Sequence, residues 1–135
     1  MILTDTGPIV ALLDREDVHH ESISTVTWDV RQRLATTEAC LTEAIYLINR
    51  SAGWPGIALV RRAVTDGDIE VLPTGQDARA RAFDYMDRFR DQPCDYADAT
   101  LLVAAEDTGV RRVFTIDSHF YAYRLSDGSR LEVFP

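Results

Sequence analysis

Short apolar runs alternate along the chain with longer segments of helical pattern. The runs have the length of buried strands and lie at residues 2–4, 34–37, 69–72, 113–116 and 131–134. The segments with apolar residues at helical spacing lie at residues 9–13, 18–33, 39–48, 55–64, 76–89 and 96–108. Trp28 and Val30 are among the apolar positions that predict a surface helix over 18–33. Gly67 and Gly109 follow two of the segments and predict helix ends.

Strands that alternate with helices predict a parallel sheet covered by helices on both faces. We therefore expect an α/β fold, a three-layer α/β/α sandwich around a short, mostly parallel central sheet. The chain has 135 residues, of which 46% are hydrophobic, and this suits a single domain over residues 1–135. No apolar stretch reaches the ~20 residues of a membrane span, and no signal-peptide pattern opens the chain, so we expect a cytoplasmic protein.

The net charge and the composition of the chain exclude several classes of function. Fourteen basic and 22 acidic residues give a net charge of −8, which argues against a broad basic surface for nucleic acid and suits a basic partner or bound cations. All the basic residues are arginines, so a phosphate-binding GxxxxGK loop and Schiff-base chemistry are excluded. Cys40 and Cys94 lack the spacing of a zinc or redox motif and are interpreted as buried or incidental thiols.

Four carboxylates lie in apolar surroundings. Asp5 is the only charge in residues 1–13, and Glu43 is the only charge between residues 39 and 49. Asp98 opens an apolar helix, and Asp117 follows the apolar run 113–116. A buried carboxylate must be hydrogen-bonded, paired with a cation or bound to a metal. The other acids, such as those at 14–17, 66–70 and 84–91, are expected on solvated faces.

The four carboxylates are also expected near one another. Asp5 and Asp117 each come directly after a predicted parallel strand, and the carboxyl ends of such strands border the ligand crevice. Asp98, in the first turn of its helix, can reach the same edge. Clustered carboxylates repel one another unless cations are present, and oxygen ligands favour Mg²⁺ or Mn²⁺. The cluster therefore indicates metal-assisted phosphoryl chemistry.

Structural roles compete with this interpretation for three of the acids. Asp5 suits a turn, Asp117 suits the cap of a short helix, and Asp95 with Asp98 has the spacing of a capping box. Glu43 has no such alternative, because no cap or turn role suits a lone glutamate in the middle of an apolar helix. It is expected to be buried there at a cost in free energy.

Four short motifs carry a resemblance that spans nearly the whole chain: ILTDTGP at 2–8, LTEA at 41–44, ADA at 97–99 and TIDSHF at 115–120. In this order and at these separations they resemble the PIN-domain ribonucleases of the VapC toxin type. The resemblance implies that Asp5, Glu43, Asp98 and Asp117 form the family's acidic quartet. It also implies supporting roles for Thr115 and for Thr6, while Asp95 is an additional acid one turn before Asp98.

The same resemblance implies an activity and partners. The quartet would hold Mg²⁺, which Mn²⁺ could replace, for hydrolysis of RNA phosphodiester bonds without a covalent nucleophile. The chain would be the toxin of a toxin–antitoxin pair, a homodimer inhibited by a small VapB-type antitoxin. A net charge of −8 favours an antitoxin that presents basic side chains. The alternative is a catalytically weak PIN-like module that binds RNA or a protein without cutting.

Overall fold

Strands and helices follow one another along the chain in the predicted order. The structure is a computed structural model that describes the backbone of residues 1–135 and all side chains except those of residues 28–30. Its elements are β1 (Ile2–Thr4), α1 (Thr6–Leu13), α2 (His20–Val30), β2 (Leu34–Thr36), α3 (Glu38–Thr65), β3 (Ile69–Val71), α4 (Ala78–Arg88), α5 (Tyr96–Thr108), β4 (Arg112–Phe114) and β5 (Glu132–Phe134). A 3-10 helix, Ser118–Tyr121, lies between β4 and β5. The side chains of Trp28 and Val30, which the sequence places on α2, lie outside the described residues.

The five strands form one parallel sheet in the order β3-β2-β1-β4-β5. Strand β1 is central, and its Leu3 pairs with Ala35 of β2 and with Val113 of β4. The α/β fold with a parallel sheet is therefore confirmed. Because all strands run in one direction, the residues that follow them meet at a single edge of the sheet.

Two apolar layers cover the sheet, and alternate residues of each strand belong to different layers. Ile2 and Phe114 pack with α1 and α3, whereas Leu3 and Val113 pack with α4 and α5. Both layers are built mainly from aliphatic side chains that are fully buried. In the described part of the chain, no helix is both long and apolar enough to cross a membrane.

Helix α3 is broken between the segments 39–48 and 55–64, which the sequence predicts as two helices. The two helical segments lie within one element of 28 residues and are separated by a residue with non-helical dihedral angles, as the prediction requires. The two halves meet at a kink at Gly53, whose φ of 63° lies in the left-handed region that favours glycine. Pro55 lies two residues later, and because proline lacks an amide hydrogen it is tolerated near this break in the helical hydrogen bonding.

Asp14 corrects a second expectation, since it was placed with the solvated acids and is only 6% exposed. It follows the last residue of α1. One carboxylate oxygen accepts the amide hydrogen of Glu16 at 3.0 Å, and the other accepts the hydroxyl of Ser51 on α3 at 2.7 Å. The side chain is therefore buried because it joins the end of α1 to the middle of α3, a contact between residues far apart in sequence.

We predict that Asp14→Ala lowers the free energy of unfolding by about 1–3 kcal/mol, because the Ser51 hydroxyl and the Glu16 amide lose the buried carboxylate that accepts their hydrogen bonds. Chemical denaturation measures the change. Asp68→Ala, at an exposed position, is the matched control and should stay within about 0.5 kcal/mol of the parent protein. Equal stability of the two variants would show that the Asp14 contact contributes nothing.

Candidate functional site

Asp5 lies at the carboxyl end of β1, the central strand, and caps the N-terminus of α1. One of its oxygens accepts the amide hydrogen of Thr6 at 2.7 Å, and the other accepts the hydroxyl of Thr115 at 2.8 Å. The residue is 7% exposed. Both oxygens are therefore hydrogen-bonded, which fixes the orientation of the carboxylate at the sheet edge.

The two threonines expected in supporting roles lie beside Asp5. The hydroxyl of Thr115 donates to Asp5 and accepts the amide hydrogen of Asp117 at 2.9 Å, so it joins the segments that follow β1 and β4. The hydroxyl of Thr6 donates to the carbonyl of Cys40 at 3.3 Å and ties α1 to α3. Thr115 thus orients Asp5 directly, whereas Thr6 contributes its amide to Asp5 and its hydroxyl to the packing of the helices.

Asp95 and Asp98 form the capping box that their spacing predicts. The amide of Asp98 donates to Oδ1 of Asp95 at 2.8 Å, and the amide of Asp95 donates to Oδ2 of Asp98 at 3.3 Å. The hydroxyl of Tyr123 also donates to Oδ2 of Asp98 at 3.2 Å. Asp98 is buried and Asp95 is exposed, so the two acids of this box lie in different dielectric surroundings.

The placement of Asp117 corrects the prediction that it directly follows a strand. Strand β4 ends at Phe114, three residues earlier, because the hydroxyl of Thr115 bonds to Asp5 and to the Asp117 amide and turns the chain out of the sheet. Asp117 caps the 3-10 helix: its Oδ1 accepts the amide of His119 at 2.9 Å and lies 2.6 Å from Nδ1 of the same residue. The side chain is half-buried.

Glu43 is exposed, which contradicts the expectation that it is buried. The apolar neighbours that suggested burial are themselves partly exposed, because this part of α3 turns a hydrophobic face outward. Tyr46 is 60% exposed, and Ile45 and Leu47 are both above one third. The argument from burial cost therefore fails for Glu43, and its candidacy depends on its position near the other acids.

The carboxylates influence one another electrostatically. Burial, together with the charges of Asp95 and Asp5, raises the pKa of Asp98 to about 7. Burial also raises the pKa of Asp5, although the hydrogen bonds from Thr115 and Thr6 oppose this. Partial burial raises the pKa of Glu43, and the charges of Asp95 and Asp5 act in the same direction. The acids from β1, α3 and α5 thus share one local field.

No basic side chain compensates this charge in the described part of the chain. None of the ion pairs found among those residues includes Asp5, Glu43, Asp95 or Asp98. Because they are negatively charged oxygen ligands, these carboxylates suit a divalent cation such as Mg²⁺ or Mn²⁺. As the side chains stand, however, no three acidic, histidine or cysteine groups among the described residues converge as a ready ligand set. Several of the carboxylate oxygens are instead used as helix caps.

Two contacts of the site had no signal in the sequence. Tyr123 reaches Asp98 from 25 residues away, and Sγ of Cys40 lies 4.0 Å from Oδ1 of Asp5. Burial and the charge of Asp5 together raise the pKa of Cys40 to about 12, so the thiol stays protonated. A lone tyrosine after a turn and a lone cysteine in an apolar helix are ordinary core residues in a single sequence.

Comparisons with known proteins identify the family. The sequence profile of the PIN domain matches residues 2–125, so the chain belongs to the PIN domain family. Among solved structures, the chain is similar to VapC20 of Mycobacterium tuberculosis, a toxin that cleaves the sarcin-ricin loop. The TM-score is 0.81 at 20% identity, over 90% of this chain and 94% of that one, which shows a shared fold. A search of curated proteins found no match.

The raised pKa of Asp98 gives a pH prediction for the protein in chelator. The folded pKa is about 7 against an ordinary value of 3.8, so the folded state retains a proton that the unfolded chain has lost. The contribution of this proton to the free energy of unfolding therefore decreases as the pH rises from about 4 to about 7. Above this range the contribution is constant. Because asparagine does not titrate, the melting temperature of Asp98→Asn relative to that of the parent protein should increase as the pH rises through this interval.

Thermal melting in EDTA at several pH values measures the difference between the two proteins. Asp66→Asn, at an exposed position on the C-terminal end of α3, is the control and should show no such pH-dependent gain. A difference between Asp98→Asn and the parent protein that is constant from pH 4 to pH 8 would contradict the raised pKa.

Proposed function

We propose that this chain is a Mg²⁺-dependent endoribonuclease that hydrolyses RNA phosphodiester bonds, with Mn²⁺ as a substitute, and that it acts as the toxin of a toxin–antitoxin pair. The observation that carries the proposal is the placement of Asp5, Glu43 and Asp98 at the carboxyl edge of the sheet, where they share one field and belong to none of the ion pairs found among the described residues. Membership of the PIN family and the likeness to a toxin that cleaves the sarcin-ricin loop support it.

In this proposal Asp5, Glu43, Asp98 and Asp117 hold the cation. When bound, the cation lowers the pKa of a water molecule and stabilises the charge that develops on the phosphate. Thr115 keeps the Asp5 carboxylate oriented through their 2.8 Å hydrogen bond. The capping box restrains Asp98, and the exposed Asp95 is an auxiliary acid rather than a fifth ligand.

The charge of the chain favours the proposed partners. A net charge of −8 repels RNA at long range, and a cation at the acidic edge reduces that repulsion where the phosphate must approach. The same charge attracts a basic segment, which is the character we propose for a VapB-type antitoxin. We place this toxin–antitoxin pair in the cytoplasm, where RNA is accessible.

An apolar surface on α3 supports a homodimer. Five large hydrophobic residues of this helix are between 37% and 70% exposed: Ile45, Tyr46, Leu47, Trp54 and Leu59. Exposed apolar patches of this kind mark interaction surfaces on folded proteins. Because Glu43 belongs to the same helix, association through α3 would place the interface beside the proposed cation site.

One observation favours a second function, a PIN-like module that binds RNA or a protein with little or no cleavage. The acids of the site serve as caps, and no preformed ligand group occurs among the described residues. Cation binding must therefore draw carboxylates away from helix N-termini, where the partial positive charge of the helix stabilises them. A module that never binds a cation would keep these caps unchanged.

We predict that the purified protein cleaves single-stranded RNA with Mg²⁺ or Mn²⁺ and stops in EDTA. Asp5→Asn, Glu43→Gln, Asp98→Asn and Asp117→Asn should each lower the cleavage rate by about 100-fold or more, because each removes an anionic ligand. Asp95→Asn should have a smaller effect. Gel analysis of a 5′-labelled RNA measures the rates.

Asp68→Asn removes one negative charge at an exposed position and is the matched control, with an expected rate equal to that of the parent protein. Equal cleavage by all the variants, or cleavage that persists in EDTA, would contradict the proposal. RNA binding without cleavage in any metal would favour the second function.

A further inference from the structure

A cavity of about 220 Å³ opens between the N-terminal parts of α3 and α4 and one face of α5 that runs from Tyr96 to Asp107. Its apolar walls include Leu72, Ala78 and Val103, and its polar lining includes Thr37, Thr100 and Tyr96. Pockets for drug-sized ligands measure about 300–1,000 Å³. This cavity is therefore suited to a smaller, flat group with one apolar face and a polar edge.

The two threonines of the cavity can accept further hydrogen bonds but have no free hydroxyl proton to donate. The hydroxyl of Thr100 donates its one proton to the carbonyl of Ala97 at 2.7 Å. The hydroxyl oxygens of Thr37 and Thr100 lie 2.7 Å apart, so Thr37 must donate its proton to Thr100. Both protons are then used, whereas each oxygen keeps lone-pair capacity. The pair can accept hydrogen bonds from a bound group and cannot donate to it.

Other side chains of the cavity strengthen this preference and supply a stacking surface. Glu38 lines the cavity and is another acceptor. Tyr96 also lines it, with its ring 5.7 Å from the ring of Phe83 at a tilt of 39°. Arg79 is an exposed cation at the same cavity. An aromatic ring, acceptors and one cation are the groups that hold an unpaired nucleotide by stacking, base-edge contacts and phosphate contact.

The cavity is continuous with the acidic edge. Tyr96 directly follows Asp95 on α5, and Thr42, another lining residue, directly precedes Glu43 on α3. The 2.7 Å hydrogen bond between Thr37, the cap of α3, and Thr100 of α5 joins the two helices at the cavity, directly beside these residues. An RNA strand whose phosphate lies at the acidic edge would therefore present its next base to the cavity.

We propose that this cavity binds one unpaired base of the RNA substrate and selects bases that carry an exocyclic amino group, namely adenine, cytosine and guanine, over uracil. The proposal rests on the proposed function, because it names the substrate feature that the same site recognises. The amino group donates to the Thr37–Thr100 pair, and the ring stacks on Tyr96.

Binding of short RNAs tests this without cleavage. Fluorescence anisotropy gives the dissociation constants of UUXUU pentamers with Mg²⁺, in a Glu43→Gln background that keeps the exposed position polar. The variable base X is adenine, unsubstituted purine, cytosine or uracil. Adenine should bind about 3- to 10-fold more tightly than purine, and cytosine more tightly than uracil, because each pair differs in an amino-group hydrogen bond.

Two variants locate the selectivity in the cavity. Thr100→Val keeps the shape and removes the acceptor, so it should abolish the difference between adenine and purine. Tyr96→Leu should weaken every pentamer by about tenfold or more through the loss of stacking. Thr108→Val is the matched control, because its hydroxyl also donates to a helix carbonyl at 2.7 Å but the residue does not line the cavity.

Equal affinity for adenine and purine, or a preference that survives Thr100→Val, would overturn the proposal. So would a failure of all the pentamers to bind, or a cavity that is filled by a side chain of a protein partner. These binding results are independent of the cleavage assay. A protein that binds with the predicted selectivity and never cuts would contradict the proposed nuclease and leave the base pocket supported.

Discussion

A nearly buried carboxylate at the end of the central strand is the constraint on which the site depends. Asp5 is 7% exposed and its two oxygens accept hydrogen bonds from Thr6 and Thr115, yet neither bond brings a positive charge. Hydrogen bonds lower the cost of burying an anion but leave its charge uncompensated. The raised pKa values of Asp5 and Asp98 show that this cost is present in the fold. A cation is the partner that would remove it.

Helix N-termini provide the partial compensation that the fold contains. Asp5, Asp95 and Asp117 each cap a helix that begins at the acidic edge, so amide hydrogens and the positive ends of helix dipoles face the cluster. The caps and the proposed ligands are thus the same side chains. The two roles compete, because the capped side chains do not converge as a ligand set among the described residues and a cation must draw them away from their helix N-termini. The balance between them sets how readily a cation binds.

The sequence was sufficient to predict those features of the structure that a local pattern of residues determines. The apolar run before Asp5 and the spacing of Asp95 and Asp98 predicted a strand end and a capping box, and both are present. It was insufficient where packing decides. An apolar helix does not reveal which face meets the core, so the exposure of Glu43 was missed. The buried Asp14 was missed too, because its partner Ser51 is 37 residues away and no local pattern joins them.

Diffraction from crystals soaked in Mn²⁺ tests the central claim most directly, because the anomalous signal locates the ion independently of any activity. The account predicts a peak bordered by Asp5 and Asp98, with carboxylates of the cluster reoriented toward it and their helix caps opened. It also predicts that the peak disappears in Asp98→Asn crystals treated in the same way. Crystals that show no Mn²⁺ at this edge, with the capping box and the cap at Asp117 unchanged, would contradict the account.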